Sequence, residues 1–176
     1  MSRRIVIAYW LIPSGPAHSF FQGMIKEFAR RYDAPVFEPH VTVHVGANSL
    51  DAAERALSKA SRDCKRIGLT PLEIDHSSEF IKTLFVRFDL NTKLRELNRI
   101  ICSTAQDSPN YQLKPHLSLL YKTMSVRDRR LLTDSIEVPV HEVIFDSLKA
   151  VRCISPTRAC ADVQAWRVIA EKDLGT

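Results

Sequence analysis

Two five-residue stretches, Pro39-His40-Val41-Thr42-Val43 and Pro115-His116-Leu117-Ser118-Leu119, follow one pattern. In each, a proline precedes a histidine, a hydroxyl residue stands two positions after the histidine, and apolar residues fill the alternate positions. A bare His-x-Ser/Thr triplet is common, but the same triplet with the same proline and the same apolar flanks rarely occurs twice by chance. The repeat therefore predicts two related halves in one chain.

Each stretch alternates apolar and polar residues, which predicts a β-strand. Side chains at positions i and i+2 of a strand share a face, so each motif presents an imidazole and a hydroxyl roughly 6 to 7 Å apart. Imidazole can accept or donate a proton near neutral pH, and a hydroxyl can donate to a phosphate oxygen. If a pseudo-twofold axis relates the halves, the pairs His40/Thr42 and His116/Ser118 line an anion-sized cleft. The alternative is two core histidines that neighbouring hydroxyls satisfy.

Around these motifs, strands and helices alternate in an order that repeats. The predicted elements are strands over 5–12, 41–45, 69–76, 81–90, 116–121, 138–151 and about 165–170, and helices that begin near Pro16, Asp51, Asn91 and Ser125. Asp51 is expected to open its helix through a capping box with Glu54. The order strand, helix, strand, helix occurs twice, which predicts an α+β duplication whose halves share one core. We expect one domain over residues 1–176.

Composition excludes several classes of protein. The 176 residues are 45% hydrophobic and 26% charged, which is typical of a globular protein. The longest apolar run covers residues 5–12 and is too short for the roughly 18 residues that a membrane span needs. This run follows Arg3 and Arg4 as in a secretory signal, but no A-x-A cleavage pattern follows it, so a buried strand and a cytoplasmic location are expected.

Charge and cysteine content point to a partner class and away from a metal. The net charge of +5 and the pI near 9.2 suit a polyanionic partner such as a nucleotide or RNA, although the basic residues are scattered. The four cysteines form no C-x-x-C pair, so neither a zinc site nor a thioredoxin-like motif is indicated. Unreactive core thiols are the expectation.

Three further residues are candidates for contact with a substrate. His44 continues the strand face of His40 and Thr42, so it is either a substrate contact or a solvated strand end. A metal site of His40, His44 and His116 is a third interpretation, disfavoured because no carboxylate or cysteine accompanies the histidines. The rings of Trp10 and Phe85 are candidates for stacking on a base, with a place in the core as the alternative.

The spacing of the two motifs in a chain of this length resembles the two-histidine phosphoesterase superfamily, and the resemblance covers essentially the whole chain. The sequences Pro-His-Val-Thr-Val and His-Leu-Ser-Leu-Leu-Tyr, with Trp10 before Leu11-Ile12-Pro13 and Trp166 near the end, look most like its cyclic phosphodiesterase branch. The resemblance implies a bilobed fold of two antiparallel sheets flanked by helices, a central cleft and no metal or other cofactor. It also favours a stacking role for Trp10.

The resemblance further implies hydrolysis of ribose cyclic phosphates. The substrate would be a nucleoside 2′,3′-cyclic phosphate, giving the 2′-phosphate, or ADP-ribose 1″,2″-cyclic phosphate, giving the 1″-phosphate. Bacterial RNA 2′,3′-cyclic phosphodiesterases, also called 2′-5′ RNA ligases, usually carry an arginine shortly after their second motif. This chain has Tyr121 there, which favours the small-substrate branch and makes Tyr121 a candidate substrate contact. Gly46, six residues after His40, resembles the RNA-processing branch and keeps it as the alternative.

The sequence as a whole therefore predicts a metal-independent cyclic phosphodiesterase. One of His40 and His116 would take a proton from water while the other protonates the departing ribose oxygen, and Thr42 and Ser118 would bind the equatorial phosphate oxygens. The expected partner is a small nucleotide or ADP-ribose cyclic phosphate, with an RNA 3′ end as a further possibility, no membrane, and a monomeric protein. A non-catalytic nucleotide-binding module is the alternative from another class.

Overall fold

The computed structural model describes residues 2–176. Its eight strands are β1 (Arg4–Pro13), β2 (Val41–Ala47), β3 (Ile67–Leu69), β4 (Pro71–His76), β5 (Leu84–Phe88), β6 (His116–Leu120), β7 (Val143–Ser155) and β8 (Arg167–Asp173). Its five helices are α1 (Gly15–Tyr32), α2 (Leu50–Asp63), α3 (Thr92–Ala105), α4 (Val126–Asp134) and α5 (Cys160–Gln164). Each predicted strand and helix overlaps an observed one, but the bounds differ. The strand predicted over 69–76 is divided at Thr70 between β3 and β4, which pair with different neighbours, and the strand predicted over 138–151 begins only at Val143. The short helix α5 is an addition that the sequence patterns did not indicate.

Helix starts follow the local capping chemistry, with one correction. Helices α3 and α4 begin next to Asn91 and Ser125, as predicted, and the side chains of these two residues accept hydrogen bonds from backbone N–H groups in the first turns. Helix α2, however, begins at Leu50 and is capped by Ser49, whose hydroxyl accepts from Ala52 N at 3.3 Å. The helix therefore starts within one residue of the predicted position, but the predicted capping box of Asp51 and Glu54 was wrong, because the side chain of Ser49, two positions earlier, accepts from an N–H of the first turn.

The strands pair in the order β3-β7-β1-β2-β6-β5-β4, with β8 also paired to β7, and each pairing between these strands is antiparallel. The α+β class is confirmed. The two expected sheets are joined into one eight-stranded sheet, because β2 and β6 meet through a single pairing of Val41 with Leu117. The order β1-α1-β2-α2 recurs as β5-α3-β6-α4, while the duplication itself stays a prediction.

Strand β1 separates the main core from the surface that carries the site. Ile7, Tyr9 and Leu11 belong to the main core, whereas Ala8 and Trp10 belong to a second cluster on the other face of the strand. Strands β1 and β2 pair residue by residue from Val6–Ala47 to Tyr9–His44. The next residue of β1, Trp10, then pairs with Thr42, which leaves Val43 as an extra residue in β2. This β-bulge reverses the inward and outward alternation of β2 beyond it.

Within residues 2–176, no helix has both the length and the apolar character that crossing a bilayer requires.

Candidate active site

Both motifs border one cavity of about 250 Å³. His40 and Thr42 lie on it at the start of β2, and His116 and Ser118 lie on it in β6. The single pairing between these two strands therefore brings the two motifs together. Aromatic and small side chains form the rest of the wall, among them Trp10, Ile81, Tyr111, Tyr121, Cys153 and Trp166. The cavity thus has four groups suited to proton transfer and hydrogen bonding within a mostly apolar lining.

Each histidine is oriented by the main chain two residues before it. His40 Nδ1 lies 2.6 Å from the Glu38 carbonyl oxygen, and His116 Nδ1 lies 2.8 Å from the Lys114 carbonyl oxygen. A carbonyl oxygen accepts only, so in both rings Nδ1 carries the proton and donates it. In the neutral rings Nε2 is therefore the free basic nitrogen. The proline between carbonyl and histidine fixes the extended backbone that brings the two groups together.

Burial lowers the proton affinity of both imidazoles. His40 is 7% exposed, and desolvation lowers its pKa to about 4, with the nearby His116 lowering it further and the Glu38 carbonyl opposing the shift. The pKa of His116 is also lowered, first by burial and then by the Lys82 ammonium, against the opposing effects of the Lys114 carbonyl and Glu79. Both rings are consequently neutral at pH 7 in the unliganded protein.

Trp10 covers His40. The two rings stack with centroids 3.7 Å apart and planes 12° apart, and Trp166 meets Trp10 edge to face at 5.3 Å. Trp10 is directly opposite Thr42 in the β1–β2 pairing, which explains why its ring lies on the cavity face. Trp10 thus borders the cavity, where its main contact in this structure is His40.

The hydroxyl groups have different surroundings. Ser118 donates a hydrogen bond to the Ile81 carbonyl at 2.8 Å, so binding of a phosphate oxygen would require its hydroxyl to rotate away from that carbonyl. Tyr121 is buried against Phe37, with ring centroids 3.7 Å apart, and burial raises the pKa of its phenol, an effect that the neighbouring Ser118 partly offsets. Tyr121 therefore stays protonated and can act as a hydrogen-bond donor in the cavity wall.

Two of the predicted contact residues lie outside the cavity. His44 is 1% exposed and lies 3.0 Å from Asp107, between Nε2 and Oδ2, because the bulge at Val43 turns it to the face opposite Thr42. The three histidines of the metal interpretation therefore do not converge, and no cluster of three metal-binding side chains occurs in residues 2–176. Phe85 is buried beside His116, with ring centroids 5.4 Å apart, and does not line this cavity, but it lines a neighbouring groove of about 440 Å³ whose wall also includes Lys82, Lys114 and His116. His44 is therefore better described as a packing neighbour, whereas a substrate contact at Phe85 stays a prediction.

Other parts of the site were not identified from the sequence. The carbonyls of Glu38 and Lys114 that orient the histidines are backbone groups, so the type of residue at these positions does not reveal them. The X-Pro-His pattern that places them does occur twice in the sequence. Tyr111 lines the cavity and donates from its hydroxyl to the Thr42 carbonyl at 3.3 Å. It stands in an irregular segment between α3 and β6, where no periodic pattern indicates which way a side chain points.

Comparison with known proteins agrees with this geometry. Residues 5–174 match the model of a family described as cyclic phosphodiesterase-like protein. A cyclic phosphodiesterase of Arabidopsis thaliana is 24% identical over 134 residues, which cover 73% of this chain and 71% of that protein. The fold is similar to E. coli LigT in its apo form, with a TM-score of 0.59 and 14% identity over 99% of this chain and all of that one.

A second structure of E. coli LigT, complexed with 3′-AMP, gives a TM-score of 0.57 at 13% identity, with 98% of this chain and 99% of that chain covered. The sequence-based assignment to the two-histidine phosphoesterase superfamily is confirmed. The chain belongs to the cyclic phosphodiesterase-like family of that superfamily and is an enzyme of the cyclic phosphodiesterase class.

Proposed function

We propose that this enzyme hydrolyses ribose cyclic phosphates without a metal ion. Its substrates would be nucleoside 2′,3′-cyclic phosphates, yielding 2′-phosphates, or ADP-ribose 1″,2″-cyclic phosphate, yielding the 1″-phosphate. The observation that carries the proposal is the pair of imidazoles on one cavity, each held by a backbone carbonyl at Nδ1 so that Nε2 is free for proton transfer. The LigT structures with 3′-AMP and with ATP support a nucleotide-sized ligand.

In the proposed reaction, water attacks phosphorus in line with the bond to the departing ribose oxygen. One imidazole Nε2 takes a proton from this water as the new P–O bond forms, and the other, protonated at Nε2, gives its proton to the ribose oxygen as the old P–O bond breaks. Binding of the anionic phosphate favours the protonated form of one ring, which is neutral in the unliganded protein. Thr42 and Ser118 would donate to the equatorial oxygens, where negative charge accumulates.

The remaining wall residues would bind the nucleoside part of the substrate. Trp10 borders the cavity beside His40, and Tyr121 offers a phenolic donor. Stacking of a base on an aromatic side chain is typically worth roughly 1 to 3 kcal/mol. The cytoplasmic location and the monomeric state stay predictions.

One observation favours RNA-end processing as a second candidate. A groove of about 730 Å³ shares four wall residues with the cavity, namely Val6, Val45, Tyr111 and Ser155, and Arg4 is among its other walls. A substrate longer than one nucleotide could therefore continue from the cavity into this groove. The non-catalytic binding module of the sequence analysis is set aside, because the family is one of enzymes.

The test is a product-resolved assay on a panel of cyclic phosphates that includes both small substrates and an oligonucleotide with a 2′,3′-cyclic end. We expect His40→Ala and His116→Ala each to lower kcat by about 10²-fold or more, since one proton-transfer partner is typically worth that much. Thr42→Ala and Ser118→Ala should each cost less. His141→Ala, which removes an exposed histidine away from the cavity, is the matched control. Near-normal turnover in either catalytic histidine variant would overturn the mechanism.

A further inference from the structure

We infer that Asp107 is a positioning residue for the active site: through His44 and the Ala47 amide it holds the bulged part of β2 and thereby sets Thr42 and Tyr111 at the cavity wall. The activity part of this inference rests on the proposed function. The structural part is independent of it.

The Asp107 carboxylate makes two contacts with β2. Oδ2 lies 3.0 Å from His44 Nε2, and Oδ1 accepts from Ala47 N at 3.0 Å. Both side chains of this contact are largely buried, with exposures of 1% for His44 and 9% for Asp107. The other ring nitrogen of His44, Nδ1, is buried and has no hydrogen-bond partner within residues 2–176, so the polar contact of this ring is to Asp107.

Gly46 makes this approach possible. A Cβ added at Gly46 would lie 1.7 Å from Asp107 Oδ2, a distance that no side chain tolerates. The glycine stands between the two β2 residues that Asp107 contacts, so the carboxylate lies directly against the strand backbone. A glycine inside a strand is commonly found where another group approaches the backbone this closely.

The bulge explains why β2 needs side-chain partners. An extra residue disrupts the ladder of backbone hydrogen bonds, and the backbone groups that it leaves unpaired must find other partners. Here α3 and the segment after it supply them. Tyr111 donates to the Thr42 carbonyl at 3.3 Å, and Asn98 Nδ2 donates to the Val43 carbonyl at 2.7 Å. With Asp107 on His44 and Ala47, the strand is held before, at and beyond the bulge.

Asp107 is in turn fixed to α3 and begins the segment that leads to the second motif. Its N–H donates to the Cys102 carbonyl at 3.1 Å. Residues 108–115 follow, with Tyr111 at the cavity wall, and they lead directly into His116 at the start of β6. Loss of the Asp107 contacts therefore loosens two walls of the cavity together, the Thr42 side and the Tyr111 side. A misplacement of about 1 Å at a reacting group can cost roughly 10²-fold in rate.

The experiment compares Asp107→Ala with Asp107→Asn and with Asp89→Ala. Asparagine can still accept from Ala47 N through Oδ1, and its Nδ2 can donate to His44 Nε2 once that ring carries its proton on Nδ1 instead, so it is the conservative variant. Asp89 is the matched control, since its Oδ1 accepts a backbone N–H, that of Thr70 at 2.6 Å, but it does not border the cavity. The two readouts are kcat and KM for cytidine 2′,3′-cyclic phosphate and the hydrogen-exchange rate of the Ala47 amide measured by NMR.

We expect Asp107→Ala to lower kcat by about tenfold or more and to speed exchange at Ala47, whereas Asp107→Asn keeps kcat within about threefold and preserves the protection. Asp89→Ala should leave kcat unchanged. Unchanged kcat in Asp107→Ala, or an Asp107→Asn as impaired as Asp107→Ala, would overturn the inference. Because Asp107→Ala could fail to fold, Gly46→Ala gives an independent test: it should lower kcat in the parent protein by displacing the carboxylate.

A double variant and the parent enzyme separate the remaining outcomes. Gly46→Ala should add little to the loss in an Asp107→Ala background, where there is no carboxylate to displace, and full additivity would count against the inference. If the parent enzyme turns over no cyclic phosphate on the panel, the proposed function fails. Exchange at Ala47 would still test the contact itself, because it needs no substrate.

Discussion

The stacking of Trp10 on His40 makes a quantitative prediction about proton affinity. The pKa of His40 is lowered from the ordinary value of 6.5 to about 4, chiefly by burial, and Trp10 is the ring that lies closest to the imidazole, at 3.7 Å. Full exposure would recover the whole difference, which corresponds to roughly 3 kcal/mol at 1.36 kcal/mol per pKa unit. In Trp10→Ala, Phe37 and Trp166 remain at 6.4 and 6.3 Å, so we expect only part of this recovery. The pKa of His40 should rise to about 5 to 6.

The pKa is measured by following the imidazole resonances of His40 by NMR across pH 3.5 to 8 in the parent protein and in Trp10→Ala. His116→Asn is the control, because it removes the charge of the second ring, the smaller cause of the shift, and leaves the stacking intact. A pKa near 6.5 for His40 of the parent protein would refute the reasoning, as would a His40 pKa that is the same in Trp10→Ala as in the parent protein.

The same shift has a consequence for stability. The folded protein holds His40 neutral down to about pH 4, while the unfolded chain protonates it near 6.5. Between these values the unfolded state binds more protons, so the free energy of unfolding rises with pH through this window. The stability that the neutral His40 contributes is lost as the pH falls through the same window. In Trp10→Ala this part of the slope should be smaller, which urea unfolding at pH 4.5 and at pH 7 can measure.

Three further predictions follow from the site. Because both imidazole pKa values are lowered, the optimum of kcat/KM should lie below pH 6.5. Lys82→Gln removes one cause of the lowered pKa of His116, so the limb of the pH profile that reports His116 should move to higher pH. An unchanged limb would show that Lys82 has no such influence. Excess EDTA should leave kcat unchanged, because the proposed chemistry is proton transfer between two histidines and a substrate; loss of activity that Zn²⁺ or Mn²⁺ restores would contradict it. If the substrate is a free nucleotide, KM should rise only a few-fold between 50 and 200 mM salt, since each phosphate bound on a single strand contributes about −0.7 to the slope of log affinity against log salt concentration. A kcat/KM that climbs tenfold with each few nucleotides added to the substrate would instead favour the RNA end.

The sequence was most informative where a pattern is local and repeated. The starts of α3 and α4 near Asn91 and Ser125 and the paired motifs were predicted because each depends on neighbours within a few positions. The placement of His44 failed because strand alternation holds only for an uninterrupted strand. Nothing in the sequence around Val43 marks it as an extra residue, since the bulge exists only relative to β1.

Contacts between distant segments were also out of reach. Asp107 lies in a polar stretch after α3 that reads as an ordinary loop, yet it contacts a strand some 60 residues earlier in the chain. The exposed Cys160 likewise departs from the expectation of core thiols, because it begins the short helix α5, which no periodic pattern announced. Such features depend on how elements pack against each other, and periodicity carries no information on that.

The hydrogen bonds that join His40 and His116 to main-chain carbonyls have an evolutionary consequence. In enzymes that orient a histidine with a carboxylate, one side-chain substitution can remove the orienting group and also reduce the proton affinity of the ring. Here the acceptors are peptide oxygens of Glu38 and Lys114, which every amino acid provides. Substitutions at positions 38 and 114 can therefore accumulate without altering the tautomer of either ring, and selection on that tautomer should fall on Pro39 and Pro115 instead. A peptide oxygen also adds no formal negative charge beside the ring, so these hydrogen bonds fix each imidazole without raising its proton affinity as much as a carboxylate acceptor would.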